Sequence, residues 1–140
     1  MTTIIADRTM ICCDSMCSDS DSKWSVIKAI RIGGSLYATA GGAAEGERFL
    51  DWIRRKQRGK VPIVSEEFSA LMLRQDGLWL FDSQLVPMPL LNAHAIGSGC
   101  KAARGALMAG ASLHRAVEIA CEIDAGSSLP VQTYLLEETA

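Results

Sequence analysis

The chain contains 140 residues, of which 49% are hydrophobic and 21% are charged, and this composition is typical of a globular protein that buries a core. Its formal net charge is −2 and its longest basic run is the short segment Arg54–Arg58, so nucleic acid is not an expected partner. No apolar stretch reaches the length that spans a membrane. We therefore expect one domain over residues 1–140. The start of the chain carries no signal-peptide pattern, which predicts a cytoplasmic protein.

The five cysteines are expected to be reduced thiols, because their number is odd and the chain shows no secretion signal. Cys13 and Cys17 are spaced in a way that fits no zinc pattern, and both histidines lie far from them in the sequence. Three cysteines are expected to be small buried hydrophobic residues: Cys12, Cys100 and Cys121. No metal ion and no other cofactor is therefore predicted.

Alternating apolar residues predict four strands in the first 40 residues. These strands are Thr2–Ala6, Thr9–Cys13, Lys28–Ile32 and Ser35–Ala40. Asp7-Arg8 and Gly33-Gly34 have the residue types of short hairpin turns. In the third strand, Lys28, Ile30 and Ile32 are expected on one face. Two antiparallel hairpins are therefore expected before the first helix.

Between these hairpins lies a polar segment, Ser15–Ser22, whose composition predicts a loop. Asp19 and Asp21 in this segment, together with Asp14 just before it, could bind a hard cation. A solvated loop is the preferred interpretation for Asp19 and Asp21, so the segment is not assigned as a metal site.

The spacing of apolar residues after Gly41-Gly42 predicts a helix over Ala43–Gln57, with an apolar stripe formed by Phe49, Trp52 and Ile53. Strands are then predicted at Glu67–Arg74, Leu78–Phe81, Val86–Pro89, Ala93–Ile96 and Pro130–Leu136, and helices at Cys100–Ala109 and Leu113–Ile123. Antiparallel pairs of strands combined with blocks of helices indicate an α+β fold, with sheets in the middle and helices outside.

Three shorter segments join or cap these elements. Lys60–Ser65 is expected to be a short connection between the first helix and the next strand. The following hairpin is expected to turn at Asp76-Gly77, and Ser112 is expected to cap the last helix.

Thr2 follows Met1 and has a side chain small enough for methionine aminopeptidase to remove Met1. Removal would leave a free amine beside the threonine hydroxyl. The hydroxyl can attack a carbonyl group, and the amine, with an ordinary pKa of about 7.7–8.0, can take up its proton. The first residues therefore predict an N-terminal nucleophile that needs no histidine.

Five further features follow along the chain: Asp14, Lys28, Ala40-Gly41-Gly42, Gly97-Ser98-Gly99, and Asp124 through Ser127. In their order and spacing, the chain resembles the proteasome β-type family of N-terminal nucleophile (Ntn) hydrolases, which includes the peptidase subunit of bacterial HslVU. The segments Lys28–Ile32 and Ala38–Glu45 are especially similar to that family, and the resemblance extends over nearly the whole chain. It implies a four-layer α/β/β/α sandwich in which helices flank two antiparallel sheets.

The resemblance implies that Thr2 is the nucleophile, that Lys28 faces its hydroxyl and that Asp14 pairs with the lysine. A cation beside the hydroxyl favours the alkoxide and lowers the proton affinity of the amine, while the acid compensates the buried charge. Gly41 is implied as the backbone N–H donor to the oxyanion, near a helix N-terminus. Considered alone, Lys28 would be an exposed strand lysine and Asp14 would cap a turn. Gly41 would be a glycine that only the backbone conformation of the turn requires.

The same resemblance implies that Ser98 hydrogen-bonds the threonine amine, and that Asp124 and Ser127 position Ser98 and the amine. Thr39 is implied to line the pocket for the substrate residue before the cleaved bond, where Gly41 also contacts the substrate. The alternative for Asp124 and Ser127 is that they are polar capping residues in the loop after a helix.

The activity implied by the resemblance is that of a threonine endopeptidase acting on peptides or unfolded proteins. Two alternatives stay open: an Ntn amidohydrolase acting on a small amide, and a noncatalytic ring or scaffold subunit. Assembly into a homo-oligomeric ring is expected by the same resemblance. The chain contains no Gly-x-x-x-x-Gly-Lys-Ser/Thr motif, so any ATP dependence would come from a separate AAA-type ATPase.

The chain departs from the family pattern in its length. Between Gly59 and Glu67 there is too little chain for the second long helix that such subunits usually carry in that layer. One of the flanking helices is therefore expected to be missing.

Overall fold

The computed structural model of the protein describes residues 2–19 and 21–137, and within these ranges the chain forms eleven strands and three helices. The strands are β1 (Ile4–Ala6), β2 (Met10–Cys13), β3 (Met16–Ser18), β4 (Lys23–Ser25), β5 (Ala29–Ile32), β6 (Ser35–Ala40), β7 (Ser69–Arg74), β8 (Gly77–Phe81), β9 (Met88–Leu90), β10 (His94–Ile96) and β11 (Gln132–Leu135). The helices are α1 (Ala43–Arg54), α2 (Cys100–Met108) and α3 (Leu113–Ile123).

Two antiparallel sheets occupy the centre of the molecule. The first has four strands in the order β10-β1-β2-β11, and the second has five strands in the order β5-β6-β7-β8-β9. Every neighbouring pair in these two sheets is antiparallel. Strands β3 and β4 form a separate hairpin.

The alternation of side chains along the strands sorts them into layers. Ile4 and Ala6 of β1 belong to the core between the two sheets, together with Ala38 and Leu71 of the second sheet. Ile5 points the other way and packs in the cluster beneath α2 and α3. Helix α1 covers the opposite face of the second sheet. The protein therefore has the predicted four-layer α/β/β/α architecture.

Elements with strong periodicity lie where the sequence places them. Strand β6 and helix α3 begin and end at the predicted residues. Ser112 caps α3 as expected, since its side chain accepts a hydrogen bond from the Arg115 N–H at 3.1 Å. The predicted apolar stripe of α1 is buried at Phe49, Trp52 and Ile53.

The polar segment Ser15–Ser22 is not a loop throughout, contrary to the prediction. Its residues Met16–Ser18 form β3, in which Cys17 pairs with Trp24 of β4. No residue of this hairpin is fully buried. The segment therefore lacks the alternation of buried and exposed residues from which a strand is predicted.

Two of the three predicted hairpin loops are displaced by one residue, to Arg8-Thr9 and Gln75-Asp76, whereas Gly33-Gly34 lies between the paired residues Ile32 and Ser35 as predicted. In the first loop, the Asp7 carboxylate accepts a hydrogen bond from the Met10 N–H at 3.0 Å, so Asp7 caps the turn instead of forming it. In the second, Gly77 is the first residue of β8.

Helix α1 ends at Arg54, three residues before the predicted end. Lys56 and Gln57 have left-handed backbones, with φ of 55° and 61°, which no right-handed helix can continue through. No helix occurs in residues 55–68, all of which the structure describes. The prediction that one flanking helix is missing is therefore confirmed for this segment.

The prediction that Lys28 shares a strand face with Ile30 and Ile32 is wrong. Strand β5 begins only at Ala29, so its alternation does not extend to Lys28. Ile30 and Ile32 pack against the cluster beneath α1, whereas Lys28 directs its ammonium group to Asp14.

The cysteines are free thiols, as predicted. Cys12 and Cys13 are buried, and burial raises the pKa of the Cys13 thiol to about 12. Cys100 and Cys121 are only partly buried. Of the three cysteines predicted to be buried, only Cys12 is therefore fully buried. Among the described residues, no helix combines the length and the apolar character needed to cross a membrane.

Candidate active site

A cavity of about 690 Å³ opens beside Thr2. One wall is the turn between β6 and α1, which carries Gly41-Gly42, and another is the loop after β10, which carries Gly97-Ser98. Glu45 and Ser65 also line it. Segments that are far apart in sequence therefore meet around the predicted nucleophile.

Lys28 joins the Thr2 hydroxyl to a buried acid. Its Nζ lies 2.9 Å from Thr2 Oγ1 and 2.8 Å from Asp14 Oδ1. The Lys28 side chain is 7% exposed and the Asp14 side chain is fully buried. Thr2 precedes β1, Asp14 follows β2 and Lys28 precedes β5, so strand ends of both sheets bring the three groups together.

The buried Asp14 carboxylate is well supplied with hydrogen-bond donors. Besides the Lys28 ammonium, its oxygens accept from the backbone N–H groups of Thr3 at 2.9 Å, Met16 at 3.1 Å and Ser128 at 3.1 Å. A buried ion pair is tolerated only when its remaining polar atoms are satisfied in this way. The same bonds explain why Asp14 is not available to a metal ion.

A second network reaches the Thr2 backbone nitrogen. Thr2 N donates to Ser98 Oγ at 3.1 Å, and Ser98 Oγ in turn donates to Asp124 Oδ2 at 2.7 Å. Ser127 Oγ donates to the same oxygen at 2.6 Å. Burial alone would raise the pKa of Asp124, but hydrogen bonds from Ser127 and Ser98 outweigh it and lower that pKa.

The ionised Asp124 carboxylate fixes the direction of these bonds. Because it can only accept, it takes the hydroxyl proton of Ser98 and leaves the lone pairs of Ser98 Oγ facing the Thr2 nitrogen. The loop containing Asp124 and Ser127 is therefore more than a cap for α3. It orients a group in contact with Thr2.

Thr3 connects the two networks, and nothing in the sequence except its position next to Thr2 singles it out. Its side chain is fully buried, and Thr3 Oγ1 lies 2.7 Å from Ser127 Oγ. Since Ser127 gives its own proton to Asp124, Thr3 is the donor in this bond. Thr3 N donates to Asp14, so one residue contacts both acidic centres.

The loop after β10 approaches the start of the chain so closely that it requires glycine. Gly97 has a φ of 94°, and a Cβ atom there would collide with the Thr2 carbonyl group. A Cβ atom on Gly99 would collide with Thr3 Oγ1, while Gly99 N donates to the Thr2 carbonyl oxygen at 3.1 Å. The two glycines allow Ser98 to reach Thr2.

Gly41 lies at the cavity wall, between the end of β6 and the start of α1, as the sequence predicts. Its φ of 131° favours glycine. Thr39 does not line this cavity. Its Oγ1 lies against Gly46 of α1, 2.7 Å from where a Cβ on that glycine would be, and its contact with substrate stays a prediction.

The described residues contain no group of three histidine, cysteine or acidic side chains arranged to hold a metal ion. The Asp19 carboxylate accepts hydrogen bonds from Asp21 N, Ser22 N and Ser22 Oγ, which lower its pKa. This is the geometry of a polar turn. The predicted removal of Met1 concerns a residue outside the described ranges.

Comparison with known proteins gives matches among solved structures. No protein-family model matches the chain, and no curated protein matches it. Thiobacillus denitrificans BPH is 20% identical, with a TM-score of 0.72 and 96% of each chain covered. The same protein in complex with epoxomicin is 21% identical, with a TM-score of 0.70 and 99% of each chain covered.

Eukaryotic HslV from Trypanosoma brucei is also similar to this chain in structure. It is 19% identical, with a TM-score of 0.78, and the match covers 95% of this chain and 98% of that one. At such identities the similarity shows the fold. The chain has the Ntn-hydrolase fold of HslV-like, proteasome-type structures, as the sequence resemblance implied.

Proposed function

We propose that the protein is a threonine-type endopeptidase whose nucleophile is Thr2 after removal of Met1. The observation that carries the proposal is the 2.9 Å contact of Lys28 Nζ with Thr2 Oγ1, made while Asp14 compensates the lysine charge. A cation at hydrogen-bond distance favours the alkoxide form of the hydroxyl. A lysine and a threonine that served only to build a core would not need this arrangement.

The reaction begins at the free amine of Thr2. The amine takes the hydroxyl proton, and Oγ1 forms a bond to the carbonyl carbon of the substrate peptide. The Gly41 N–H donates a hydrogen bond to the carbonyl oxygen and stabilises the negative charge that develops there. The C–N bond then breaks, the proton passes from the Thr2 ammonium to the leaving amine, and an ester on Thr2 remains.

Hydrolysis of this ester regenerates the enzyme. The Thr2 amine takes a proton from a water molecule, whose oxygen attacks the ester carbonyl, and the acid product leaves as Oγ1 regains its proton. Ser98 and Asp124 hold the amine in place through both halves of the reaction. No cofactor takes part in these steps.

The substrates we propose are peptides and unfolded proteins. A homo-oligomeric ring, in which residues 1–140 of each chain form one domain, would enclose the cavities, and a separate AAA-type ATPase would feed them in the cytoplasm. The complex of Thiobacillus denitrificans BPH with epoxomicin supports a peptide-directed nucleophile in this fold.

Replacement of the nucleophile tests this proposal. Thr2→Ala is expected to abolish hydrolysis of a fluorogenic peptide with the fold intact, while Thr2→Ser retains part of it because a hydroxyl beside the amine remains. Thr9→Ala, at an exposed turn threonine, is the matched control and should keep full activity. Full activity in Thr2→Ala would contradict the mechanism.

A further inference from the structure

Glu45 is a buried acid at the edge of the cavity that the proposed mechanism does not use. It lies in the first turn of α1 and is 8% exposed. Its Oε1 accepts from Gly42 N at 2.9 Å and from Ser65 Oγ at 2.9 Å, and its Oε2 accepts from Ser65 N at 2.7 Å. Both oxygens of the carboxylate are therefore occupied by donors from two separate segments.

The first of these segments is the turn that carries Gly41. Because Gly41 has no Cβ atom, its own side chain cannot fix its conformation. The adjacent Gly42 N–H is held by the Glu45 carboxylate, which lies so close that a Cβ on Gly41 would be 2.6 Å from Oε1. The carboxylate thus holds this turn at its Gly42 N–H, beside Gly41.

The second segment is the connection from α1 to β7, which has no helix in this chain. Ser65 in this connection gives two hydrogen bonds to the same carboxylate. A glutamate that served only to cap α1 would need the bond to Gly42 alone. The two bonds to Ser65 anchor the carboxylate from outside the helix, and so hold it against the turn.

We propose that Glu45 is a positioning residue for the oxyanion donor Gly41, acting through Gly42 and anchored by Ser65. This inference rests on the proposed function for its catalytic consequence. Burial alone would raise the pKa of Glu45, but the hydrogen bonds from Ser65 and Gly42 lower it. The carboxylate is ionised at neutral pH and acts only as an acceptor.

Glu45→Gln is the variant that tests the role. The amide keeps an oxygen for Gly42 N, but its NH₂ group faces Ser65 N–H, where both groups are donors. We expect kcat to fall about tenfold, because stabilisation of the oxyanion is partly lost. KM should change less than about twofold. Glu47→Gln, at an exposed position of the same helix, is the matched control and should leave kcat unchanged.

A peptide boronate separates positioning from simple stability. Its tetrahedral adduct with Thr2 Oγ1 places an oxygen at the oxyanion position, whereas the same peptide ending in a carboxylate forms no such adduct. Glu45→Gln should weaken binding of the boronate about tenfold and binding of the carboxylate peptide much less. An equal loss of affinity for both ligands, or a fall in thermal stability with unchanged kcat, would overturn the inference.

Failure of the proposed function would be recognised separately. If the unaltered protein neither hydrolyses peptides nor binds the boronate, Thr2 is not a nucleophile. The proposed effect of Glu45 on catalysis would then be wrong as well. Amide NMR spectra then still test the geometry. The Gly41 and Gly42 amide signals should shift in Glu45→Gln and Ser65→Ala but not in Glu47→Gln, and unchanged signals in Glu45→Gln would contradict the positioning role.

Discussion

The pairing of Lys28 with Asp14 is the feature on which the candidate site depends most. Removing two charges from water is costly, and the pair is tolerated because three backbone N–H groups also contact the carboxylate. Such an arrangement is rarely the most stable way to fill a core. In the proposed mechanism its value is chemical, since it keeps a cation 2.9 Å from the Thr2 hydroxyl.

Lys28→Met should therefore affect both stability and activity. The substitution keeps much of the side-chain volume but leaves the Asp14 charge buried without its cation, which costs about 3–5 kcal/mol when one partner of a buried pair is removed. Peptide hydrolysis should be lost. Urea unfolding and a fluorogenic assay would measure the two effects, with Lys23→Met in the exposed strand β4 as the control.

Thr3→Val tests the link between the two acidic centres. Valine matches the shape of threonine but cannot donate to Ser127 Oγ, so the loss of this buried hydrogen bond should cost about 1–3 kcal/mol. Equilibrium unfolding would measure the change. Thr133→Val, at an exposed strand position, should change stability by less than about 0.5 kcal/mol, and equal effects of the two variants would contradict the role of Thr3.

Residue type and position predicted Thr2 as a nucleophile, and the family resemblance implied that Lys28 faces its hydroxyl and that Asp14 pairs with the lysine, whereas the strand pattern misplaced Lys28. Alternation placed Lys28 on the face of Ile30 and Ile32, because periodicity cannot show where a strand begins. The partners of Asp14 are backbone N–H groups, which leave no mark in a sequence. For the same reason, the roles of Thr3 and Glu45 became visible only from the structure.

The elements were predictable where most of their apolar side chains are buried. Helix α3 has a serine cap and an apolar face, and β6 is an inner strand of the second sheet with alternate side chains in different layers. The β3-β4 hairpin is exposed or half-exposed along its length, and its first strand was predicted as a loop. The first turn lies one residue from its predicted position because the Asp7 side chain caps the turn instead of forming it.

Phe49→Ala tests how α1 is held on the second sheet. The Phe49 side chain is fully buried, and its ring centroid lies 5.3 Å from that of Phe68 and 5.0 Å from that of Phe81. The resulting cavity should lower the free energy of unfolding by about 3–5 kcal/mol, measured by urea denaturation. Ile123→Ala, at a side chain 70% exposed on α3, should cost less than about 0.5 kcal/mol.

In the molecule as a whole, the two sheets serve to bring chain segments together at one end. Thr2, Asp14 and Lys28 come from the ends of strands in different sheets, and the glycines before α1 and α2 line the cavity between them. Ser65, in the connection of residues 55–68 that forms no helix, contacts Glu45. The shortened connection is thus joined to the candidate site.

The central claim is that Thr2 carries both a free amine and an active hydroxyl. Epoxomicin tests it directly, because its epoxyketone group forms a ring adduct only with an amine and a neighbouring hydroxyl. Intact mass spectrometry before and after exposure should show loss of Met1 and one adduct per chain, absent in Thr2→Ala. A protein that keeps Met1 and takes no adduct would contradict the account and favour a noncatalytic subunit.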